Sequence, residues 1–327
     1  MRVLVAGGAG YIGAHVVRLL AEHGHRPVVL DDLRASARSR VGPFPFAEVS
    51  LEDVHGVMEV FLRYRPEAVV HLAGSISVAE SVRDPAKYWS NNLAAGTSLL
   101  LACARVPVQV FLFSSTAAVY GNPAHMPIRE GAPFAPTSPY GASKLAFERL
   151  LHASAKALGI RSIALRYFNA AGARVEWGVG EAHSPEEHLI PRVVRALLSG
   201  APVQVYGQDY PTPDGTCIRD YIHVMDLASA HVRVLEAEEL TDGHSFNVGT
   251  GSGYSVLEVI QSTANYLGMT PRMESQPRRP GDPPRLVADP SALMSQSGWR
   301  PAHSSLEEIV ETAVKWELIR QKQCVLA

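Results

Sequence analysis

Residues 2–13 read RVLVAGGAGYIG, in which a short apolar run passes directly into closely spaced glycines. The run Arg2–Ala6 is rich in valine and leucine and predicts a buried strand. Gly7, Gly10 and Gly13 follow it in the pattern G-x-x-G-x-x-G. Glycines allow a tight turn and let the N-terminus of the next helix approach a phosphate group closely. The stretch therefore predicts a strand, a turn and a helix that bind the pyrophosphate of a dinucleotide.

The same alternation of apolar runs and helical patterns continues beyond this stretch. Further apolar runs, which we interpret as strands, are Pro27–Leu30, Ala68–Ala73, Val108–Phe113 and Ile160–Tyr167. Helical patterns cover Pro85–Arg105 and Ser143–Leu158. Apolar strands that alternate with helices indicate a parallel sheet covered on both faces. Right-handed crossovers then give an α/β, Rossmann-like, doubly wound fold.

The regular alternation weakens in the second half of the chain, where residues 271–290 alone contain six prolines. We therefore expect two domains. The first is an NAD-binding Rossmann domain over 1–168, with a later return segment near 219–248. The second is a smaller C-terminal lobe, mainly over 169–327, that closes over a ligand.

Composition excludes several classes of protein. Hydrophobic residues make up 46% and charged residues 19% of the 327, which is typical of a folded chain and excludes disorder. The formal net charge is −2, so we expect no nucleic-acid partner, which would require clustered positive charge. Because no run of about 18 apolar residues is present, we also expect no membrane span.

The cysteines bear on the cellular compartment. Cys103, Cys217 and Cys324 are scattered and form no CxxC pair, which is typical of a reducing compartment. The N-terminal apolar stretch is too short for a signal peptide. We therefore expect a cytoplasmic protein.

Two acidic residues, Asp31 and Asp32, follow the second apolar run. A carboxylate at the end of this strand accepts hydrogen bonds from ribose hydroxyls and repels a 2′-phosphate. The sequence therefore favours NAD over NADP, although Arg34 and Arg38 are close enough to leave NADP open.

Tyr140 and Lys144 stand four residues apart in the segment YGASK, at the start of a helical pattern. Such a pair shares one face of a helix. A nearby cation lowers the pKa of a tyrosine, which is about 10 in isolation, and so makes the phenol a usable general base. Thr116 ends a hydroxyl-rich segment at the carboxyl end of a strand, where a doubly wound sheet binds its ligand. We interpret these three side chains as one catalytic group.

These features together resemble the extended short-chain dehydrogenase/reductase family over nearly the whole chain, and within it the branch that inverts UDP-sugars at C4. The most specific matching segments are GGAGYIG (7–13), FSSTAAVYG (113–121), SPYGASK (138–144), LRYFNAAGA (165–173) and YPTPDGTCIRDYIHVMDLA (210–228). The resemblance implies a tightly bound NAD and a UDP-sugar substrate, with UDP-glucose and UDP-galactose expected first. In the implied mechanism Tyr140 removes the sugar 4-OH proton, C4 gives up a hydride, and the 4-keto sugar turns before the hydride returns. Lys144 tunes Tyr140 and holds the nicotinamide ribose.

The resemblance also implies binding residues by their positions in these segments. The cofactor set is Gly7, Gly10, Tyr11, Ile12, Gly13, Asp31, Asp32, Ser50, Leu51, Leu72, Ala73, Asn91, Ser114, Tyr140, Lys144 and Tyr167. The substrate set is Thr116, Tyr140, Asn169, His188, Leu189, Gln204, Tyr206, Arg219, Arg279 and Asp282. In the second set the two arginines would hold the diphosphate, the aspartate the ribose and Tyr206 the uracil. The family often forms homodimers through two long helices, which match residues 85–105 and 143–158.

Four positions depart from the family pattern, and one of them is His188, which stands where some members have an asparagine beside the diphosphate. Ile76 stands where many members have a lysine near the cofactor, and Ser50 stands where an aspartate meets the adenine. Leu286 occupies the position thought to limit room at the sugar 2-substituent, where a tyrosine is associated with exclusion of N-acetylated sugars. The smaller leucine leads to the hypothesis that UDP-GlcNAc and UDP-GalNAc are accepted.

Other functions fit the sequence less well. Nucleotide-sugar dehydratases place Asp-Glu after the threonine, and UDP-glucuronate decarboxylases favour glutamate at the second position, whereas this chain has Ala117 and Ala118. Epimerases of UDP-pentoses or UDP-glucuronate remain open. A non-catalytic NAD-binding regulator would usually have lost Tyr140 or Lys144. No HExxH pair or Cys/His ligand spacing is present, so we expect no metal site. We interpret the second glycine cluster, Gly249–Gly253, as a turn before a helix of the second lobe.

Overall fold

The computed structural model describes residues 1–240, 243–279 and 281–326, with only the backbone for 323–326, so the side chain of Cys324 lies outside the described part. Its N-terminal half alternates strands and helices. In chain order these are β1 Arg2–Ala6, α1 Tyr11–Glu22, β2 Arg26–Asp31, β3 Phe46–Glu48, α2 Val54–Tyr64, β4 Ala68–His71, α3 Val78–Arg83, α4 Pro85–Trp89, α5 Ala95–Cys103, β5 Val110–Thr116, α6 Pro139–Leu158 and β6 Arg161–Tyr167.

The second half contains many strands of only two to five residues. Its elements are β7 Asn169–Ala171, β8 Ala173–Arg174, β9 Val179–Gly180, α7 Leu189–Ser199, β10 Val203–Tyr206, β11 Ile218–Arg219, β12 Tyr221–His223, α8 Val224–Glu236, β13 His244–Val248, β14 Tyr254–Ser255, α9 Val256–Leu267, β15 Met273–Gln276, β16 Arg285–Leu286, α10 Ser291–Ser297 and α11 Leu306–Leu326. Helices α7, α9 and α11 pack together around buried aliphatic side chains.

Seven strands form the main sheet, in the order β13-β6-β5-β4-β1-β2-β3, and all neighbouring pairs are parallel. Successive residues of a strand point to opposite faces. Accordingly Val3 and Val5 pack in the core shared with α1 and α8, whereas Leu4 and Ala6 pack in the core shared with α2, α5 and α6. A parallel sheet with both faces covered confirms the predicted doubly wound α/β fold.

The strand order places the ligand crevice. β1 has β2 and β4 as its neighbours, so the chain leaves the middle of the sheet in opposite directions on either side of it. Ligands of doubly wound folds bind outside the carboxyl ends of the strands at this switch point. The glycine turn, the loop after β4 and the end of β5 all lie along that edge. In the described part of the chain, no helix is long and apolar enough to cross a membrane.

The helix predicted over Pro85–Arg105 is present from Pro85 to Cys103, but its hydrogen-bond pattern changes midway. The structure has α4, then a π-helical turn over Ser90–Ala94, then α5. Such turns often mark functional sites. Here the turn buries Asn92, whose amide donates to the Ser75 carbonyl at 3.1 Å and to the Ser143 hydroxyl at 3.1 Å. The π turn therefore attaches the loop after β4 to helix α6.

The predicted start of the next helix, at Ser143, is four residues late. Helix α6 begins at Pro139, because the Ser138 hydroxyl accepts a hydrogen bond from the Gly141 amide and proline suits the first turn. Tyr140 is therefore held in the first turn of a capped helix.

Candidate active site

The glycine turn has a geometry that larger residues would disrupt. Gly7 has φ +81°, and a Cβ there would lie 2.5 Å from the Ala73 nitrogen in the loop after β4. A Cβ on Gly13 would lie 2.1 Å from the Gly7 carbonyl oxygen. Gly10 caps α1 and supplies no side-chain acceptor. The first amides of α1 are therefore left to a ligand, as a pyrophosphate requires.

Gly13→Ala is expected to lower the free energy of unfolding by about 2 kcal/mol and to strip the cofactor, because the new methyl group collides with backbone. Urea unfolding and the NAD content of the purified protein would measure both effects. Gly131→Ala is the matched control, since a Cβ there meets nothing within 4 Å. Unchanged stability and full NAD content in Gly13→Ala would contradict this view of the turn.

The acidic end of β2 organises the neighbouring loop. One oxygen of Asp31 accepts from the Ala9 amide at 3.0 Å, and the other accepts from the Ser36 hydroxyl at 2.8 Å. Arg34 is held by Asp32 at 3.0 Å and by Glu52 at 2.7 Å. Hydrogen bonding to Glu52 raises the pKa of Arg34.

The ion pairs of Arg34 bear on the choice between the two dinucleotides. Two carboxylates neutralise its charge, so it is poorly placed to select a 2′-phosphate. Its guanidinium also donates to the Ser50 hydroxyl at 2.8 Å. Arg38 stacks over the Phe46 ring at 4.5 Å. This arrangement favours NAD.

The proposed catalytic side chains meet at the carboxyl end of β5. The Thr116 hydroxyl hydrogen-bonds Tyr140, and the Lys144 ammonium donates to the Ser114 carbonyl at 3.0 Å. Tyr167, at the end of the neighbouring β6, hydrogen-bonds the Ser114 side chain. All five residues therefore lie in one cluster.

Burial controls the electrostatics of this cluster. It raises the pKa of Tyr140, and the hydrogen bond from Thr116 opposes that rise. Burial also lowers the pKa of Lys144 to about 8. The predicted lowering of the Tyr140 pKa is therefore wrong for the ligand-free chain, because desolvation dominates and the ammonium bonds Ser114. A further positive charge in the crevice would favour the phenolate.

In the second lobe, the residues proposed to bind the nucleotide form two contacts with one another. Arg219 and Asp282 form an ion pair at 2.5 Å. The Arg279 guanidinium lies over the Tyr206 ring at 4.2 Å from its centroid, and Arg192 lies 5.9 Å from the same centroid. Hydrogen bonding to Arg192 lowers the pKa of Tyr206. Three guanidinium groups on one lobe suit a diphosphate.

Other predicted site residues are engaged elsewhere. The Tyr11 hydroxyl donates to the Gly172 carbonyl at 2.6 Å, so the side chain joins α1 to the second lobe. The Gln204 amide binds Glu274 at 2.6 Å within the β10–β15 pair. The Asn169 amide donates to the Asp220 carbonyl at 3.0 Å. Each of these side chains is satisfied within the protein.

The remaining predicted site residues either make polar contacts within the protein or pack in its hydrophobic cores. Asn91 donates to the Ser75 hydroxyl at 3.0 Å, and His188 contacts Glu186 at 2.7 Å. The aliphatic ones are buried or partly buried in cores: Ile12, Leu51, Leu72, Ala73 and Leu189.

The second glycine cluster is the predicted turn. It joins β13 to β14 and α9, and a Cβ on Gly249 would lie 2.6 Å from the Asp220 carboxylate. That carboxylate accepts from the amides of Thr250, Gly251 and Ala288 at 2.9 to 3.1 Å. These donors are therefore occupied by the protein itself.

Several site-supporting residues were not predicted. Arg192 lies one helical turn beyond His188, a spacing that would have placed both at the same end of α7. Asn92 depends on the π turn, which the sequence does not reveal. Glu148 lies four residues after Lys144, and its buried pairing with Arg166 depends on contacts between α6 and β6.

Known proteins match this chain along its length. Residues 3–249 match the model of the NAD dependent epimerase/dehydratase family. The chain is 46% identical to a UDP-glucose 4-epimerase of Azospirillum brasilense, over 97% of this chain and 92% of that protein. The UDP-glucose 4-epimerase of Brucella ovis in complex with NAD has a TM-score of 0.93 at 46% identity, over 96% of this chain and 97% of that one.

A further solved structure, the UDP-Glc/GlcNAc 4-epimerase of Campylobacter jejuni, has a TM-score of 0.85 at 39% identity, over 97% of this chain and 99% of that one. The similarity in sequence and in fold thus extends over nearly the whole chain. The chain belongs to the NAD dependent epimerase/dehydratase family.

Proposed function

We propose that this protein is an NAD-dependent 4-epimerase of UDP-sugars that interconverts UDP-glucose and UDP-galactose. The observation that carries this proposal is the cluster of Tyr140, Thr116 and Lys144 at the carboxyl end of β5. It combines a phenolic base, a hydroxyl partner and a cation beside the predicted dinucleotide crevice. Ala117 and Ala118 occupy the two positions where a dehydratase needs carboxylates.

The protein's own groups fit NAD. The turn at Gly7 and Gly13 has no space for side chains, α1 offers free amides, and Asp31 lies at the end of β2. These groups would hold the pyrophosphate and the adenosine ribose. When bound, NAD supplies a hydride acceptor for sugar C4 and a hydride donor for its return.

The chain's residues supply the proton chemistry. Tyr140, as phenolate, takes the proton of the sugar 4-OH and later returns it to the same oxygen. Thr116 bonds that phenol and so orients it. The charge of Lys144 would favour the phenolate together with the positive charge of the oxidised nicotinamide, since burial dominates in the ligand-free chain. The 4-keto sugar must turn between the two proton transfers, so the anchor belongs on the diphosphate, for which Arg219 and Arg279 are the proposed ligands.

The decisive experiment is incubation of the purified protein with UDP-galactose, without added cofactor, followed by proton NMR of the anomeric signals. We expect UDP-glucose to appear and approach a mixture of the two sugars. Absence of conversion, even after NAD is supplied, would reject the proposal. Activity on UDP-pentoses or UDP-glucuronate alone would reassign the substrate within the same family.

We also propose that UDP-GalNAc and UDP-GlcNAc are accepted. Leu286, on β16, packs against the cluster around Ala117 and Phe168 and so lies close to the end of β5. Leu286→Tyr is expected to cut UDP-GalNAc turnover by at least about tenfold through lost volume, while UDP-galactose turnover is largely kept. Leu286→Met, which conserves volume, is the control. Wild-type protein without activity on UDP-GalNAc would overturn this prediction.

We propose the domain boundaries that the sequence indicated, namely a cofactor domain over 1–168 with a return near 219–248, and a substrate lobe mainly over 169–327. Helix α8 and strand β13 support the return segment, because α8 packs on α1 and β13 pairs with β6. The free, buried thiols of Cys103 and Cys217 support the proposed cytoplasmic location.

We further propose a homodimer. Large apolar side chains are exposed on the helices predicted to form its interface: Trp89 is 41% exposed on α4, Leu101 51% on α5 and Leu158 38% on α6. Light scattering after gel filtration should give twice the 35.3 kDa chain mass. A monomer at micromolar concentration would contradict the proposal.

A further inference from the structure

A compact group of potential metal ligands lies in the loop between β9 and α7. One carboxylate oxygen of Glu181 and one nitrogen each of His183 and His188 lie within 4.8 Å of one another. His183 Nδ1 is 2.5 Å from Glu181 Oε1, and His188 Nδ1 is 3.7 Å from Glu181 Oε2. Glu181 is buried, with 7% of its surface exposed, whereas the side chains of His183 and His188 are partly exposed to solvent. The spacing E-x-H-x4-H is neither HExxH nor a Cys/His ligand pattern, so the expectation of no metal site did not take these residues into account.

A fourth residue, which is the second carboxylate of the group, points to a cation at the same place. Glu186 Oε1 lies 2.7 Å from His188 Nδ1, and the Glu186 side chain is only 3% exposed. Its other oxygen, Oε2, is buried and has no hydrogen-bond partner in the described part of the chain. The Arg195 guanidinium lies 3.6 Å from this oxygen, which is an ion-pair contact without a hydrogen bond, so the buried carboxylate can still accept a cation.

The charged groups around the two histidines favour a cation. Arg195 approaches Glu186 Oε2 at 3.6 Å, beyond hydrogen-bond distance, and also pairs with Glu317 at 3.0 Å. Arg40 interacts electrostatically with Glu181 and donates to the Gly180 carbonyl at 3.1 Å. Glu187, which accepts from Ser77, adds a further negative charge near His188. Carboxylates thus outnumber guanidinium groups around the two imidazoles.

We propose that Glu181, His183 and His188 bind one transition-metal dication, with Zn²⁺ as the best match and Glu186 as an available fourth ligand. Two imidazole nitrogens with carboxylate oxygen are a donor set that Zn²⁺ prefers over Mg²⁺. Ligands at about 2.0–2.2 Å from one tetrahedral Zn²⁺ lie about 3.3–3.6 Å apart. The hydrogen bonds at 2.5 and 2.7 Å would therefore open, and the more widely spaced ligand atoms would close, around the ion. The ion would tie the 181–188 loop to the start of α7, where His188 is the helix cap.

The test is calorimetric titration of the full protein, with its resident cofactor and after EDTA treatment and dialysis, with ZnCl₂ alone. We expect one equivalent to bind with a dissociation constant of about 1 μM or below, a rise in Tm, and no comparable effect of MgCl₂. Absence of saturable binding at about 100 μM Zn²⁺ would overturn the proposal.

Variants separate this site from adventitious surface binding. His183→Gln and Glu181→Gln should each weaken binding by at least about tenfold, since even residues that only support a ligand contribute that much. His303→Gln is the matched control, because His303 also contacts a single glutamate, Glu308, at 2.7 Å. Tm values in EDTA would show that each variant folds. Equal Zn²⁺ affinity in His183→Gln, Glu181→Gln and wild type would assign the binding to other surface groups.

Discussion

Tyr140→Phe is expected to lower kcat for UDP-galactose by about a thousandfold while the protein keeps its NAD. The substitution removes one hydroxyl and keeps the ring, so packing in the first turn of α6 is preserved. What is lost is the group that takes the proton from the sugar, and a positioned general base contributes about 10²- to 10⁴-fold. Thr116 also loses its hydrogen-bond partner.

Rates from NMR and the NAD released on denaturation would measure the two effects separately. Tyr88→Phe is the control, because the Tyr88 ring packs edge-on against Tyr140 at 6.3 Å while its hydroxyl binds Glu80 at 2.9 Å, away from the cluster. We expect Tyr88→Phe to keep most of its activity. Tyr140→Phe with more than a tenth of wild-type kcat would show that another group is the base.

The sequence was sufficient for the fold because local and long-range signals agree along the main sheet. The run Arg2–Ala6 is apolar at every position after Arg2, and its strand is buried on both faces. Strand β3 and helix α2 were not predicted. Strand β3 is only three residues long, and Phe46–Glu48 pairs through its backbone with β2. Pairing of this kind leaves little trace in the local pattern.

The candidate site also has features that the local sequence predicts and features that depend on tertiary contacts. Tyr140, Lys144 and Thr116 follow from motif spacing, because a strand end and a helix start fix where they lie. Motif spacing does not predict whether these side chains are charged, since the pKa of Tyr140 depends on its burial. Likewise Arg34 resembles a determinant for NADP until its ion pairs with Asp32 and Glu52 are known. Residue type predicts a capability, whereas tertiary partners decide how it is used.

A buried ion pair supports the end of β5. Glu148 and Arg166 are each only 4% exposed, and the Nε and Nη2 atoms of Arg166 each donate to one oxygen of Glu148. Glu148 also accepts from the Ser115 hydroxyl at 2.8 Å, and Arg166 donates to the Tyr120 hydroxyl at 2.8 Å. Ser115 stands directly before Thr116, so the pair fixes the strand on which the proposed catalytic hydroxyl is carried.

Glu148→Gln is expected to lower the free energy of unfolding by about 3–5 kcal/mol at pH 7, because it leaves the Arg166 charge buried without a counter-charge. Urea unfolding would measure the loss. Glu311→Gln is the matched control, since Glu311 forms an exposed pair with Lys315 and its substitution should cost little stability. A loss no greater than that of Glu311→Gln would contradict the prediction.

The pH dependence of this difference identifies its origin. Burial alone would raise the pKa of Glu148, but the hydrogen bonds and charge of Arg166 outweigh burial and hold it below the usual value. A carboxyl with a lowered folded-state pKa stabilises the protein fully above its unfolded pKa of about 4.3, and this contribution is lost as pH falls through the folded-state pKa. The stability gap between wild type and Glu148→Gln should therefore be constant above about pH 5 and narrow in more acidic solution. A gap that does not change with pH would assign the loss to packing, because Glu148 is the one titrating group that wild type and variant do not share.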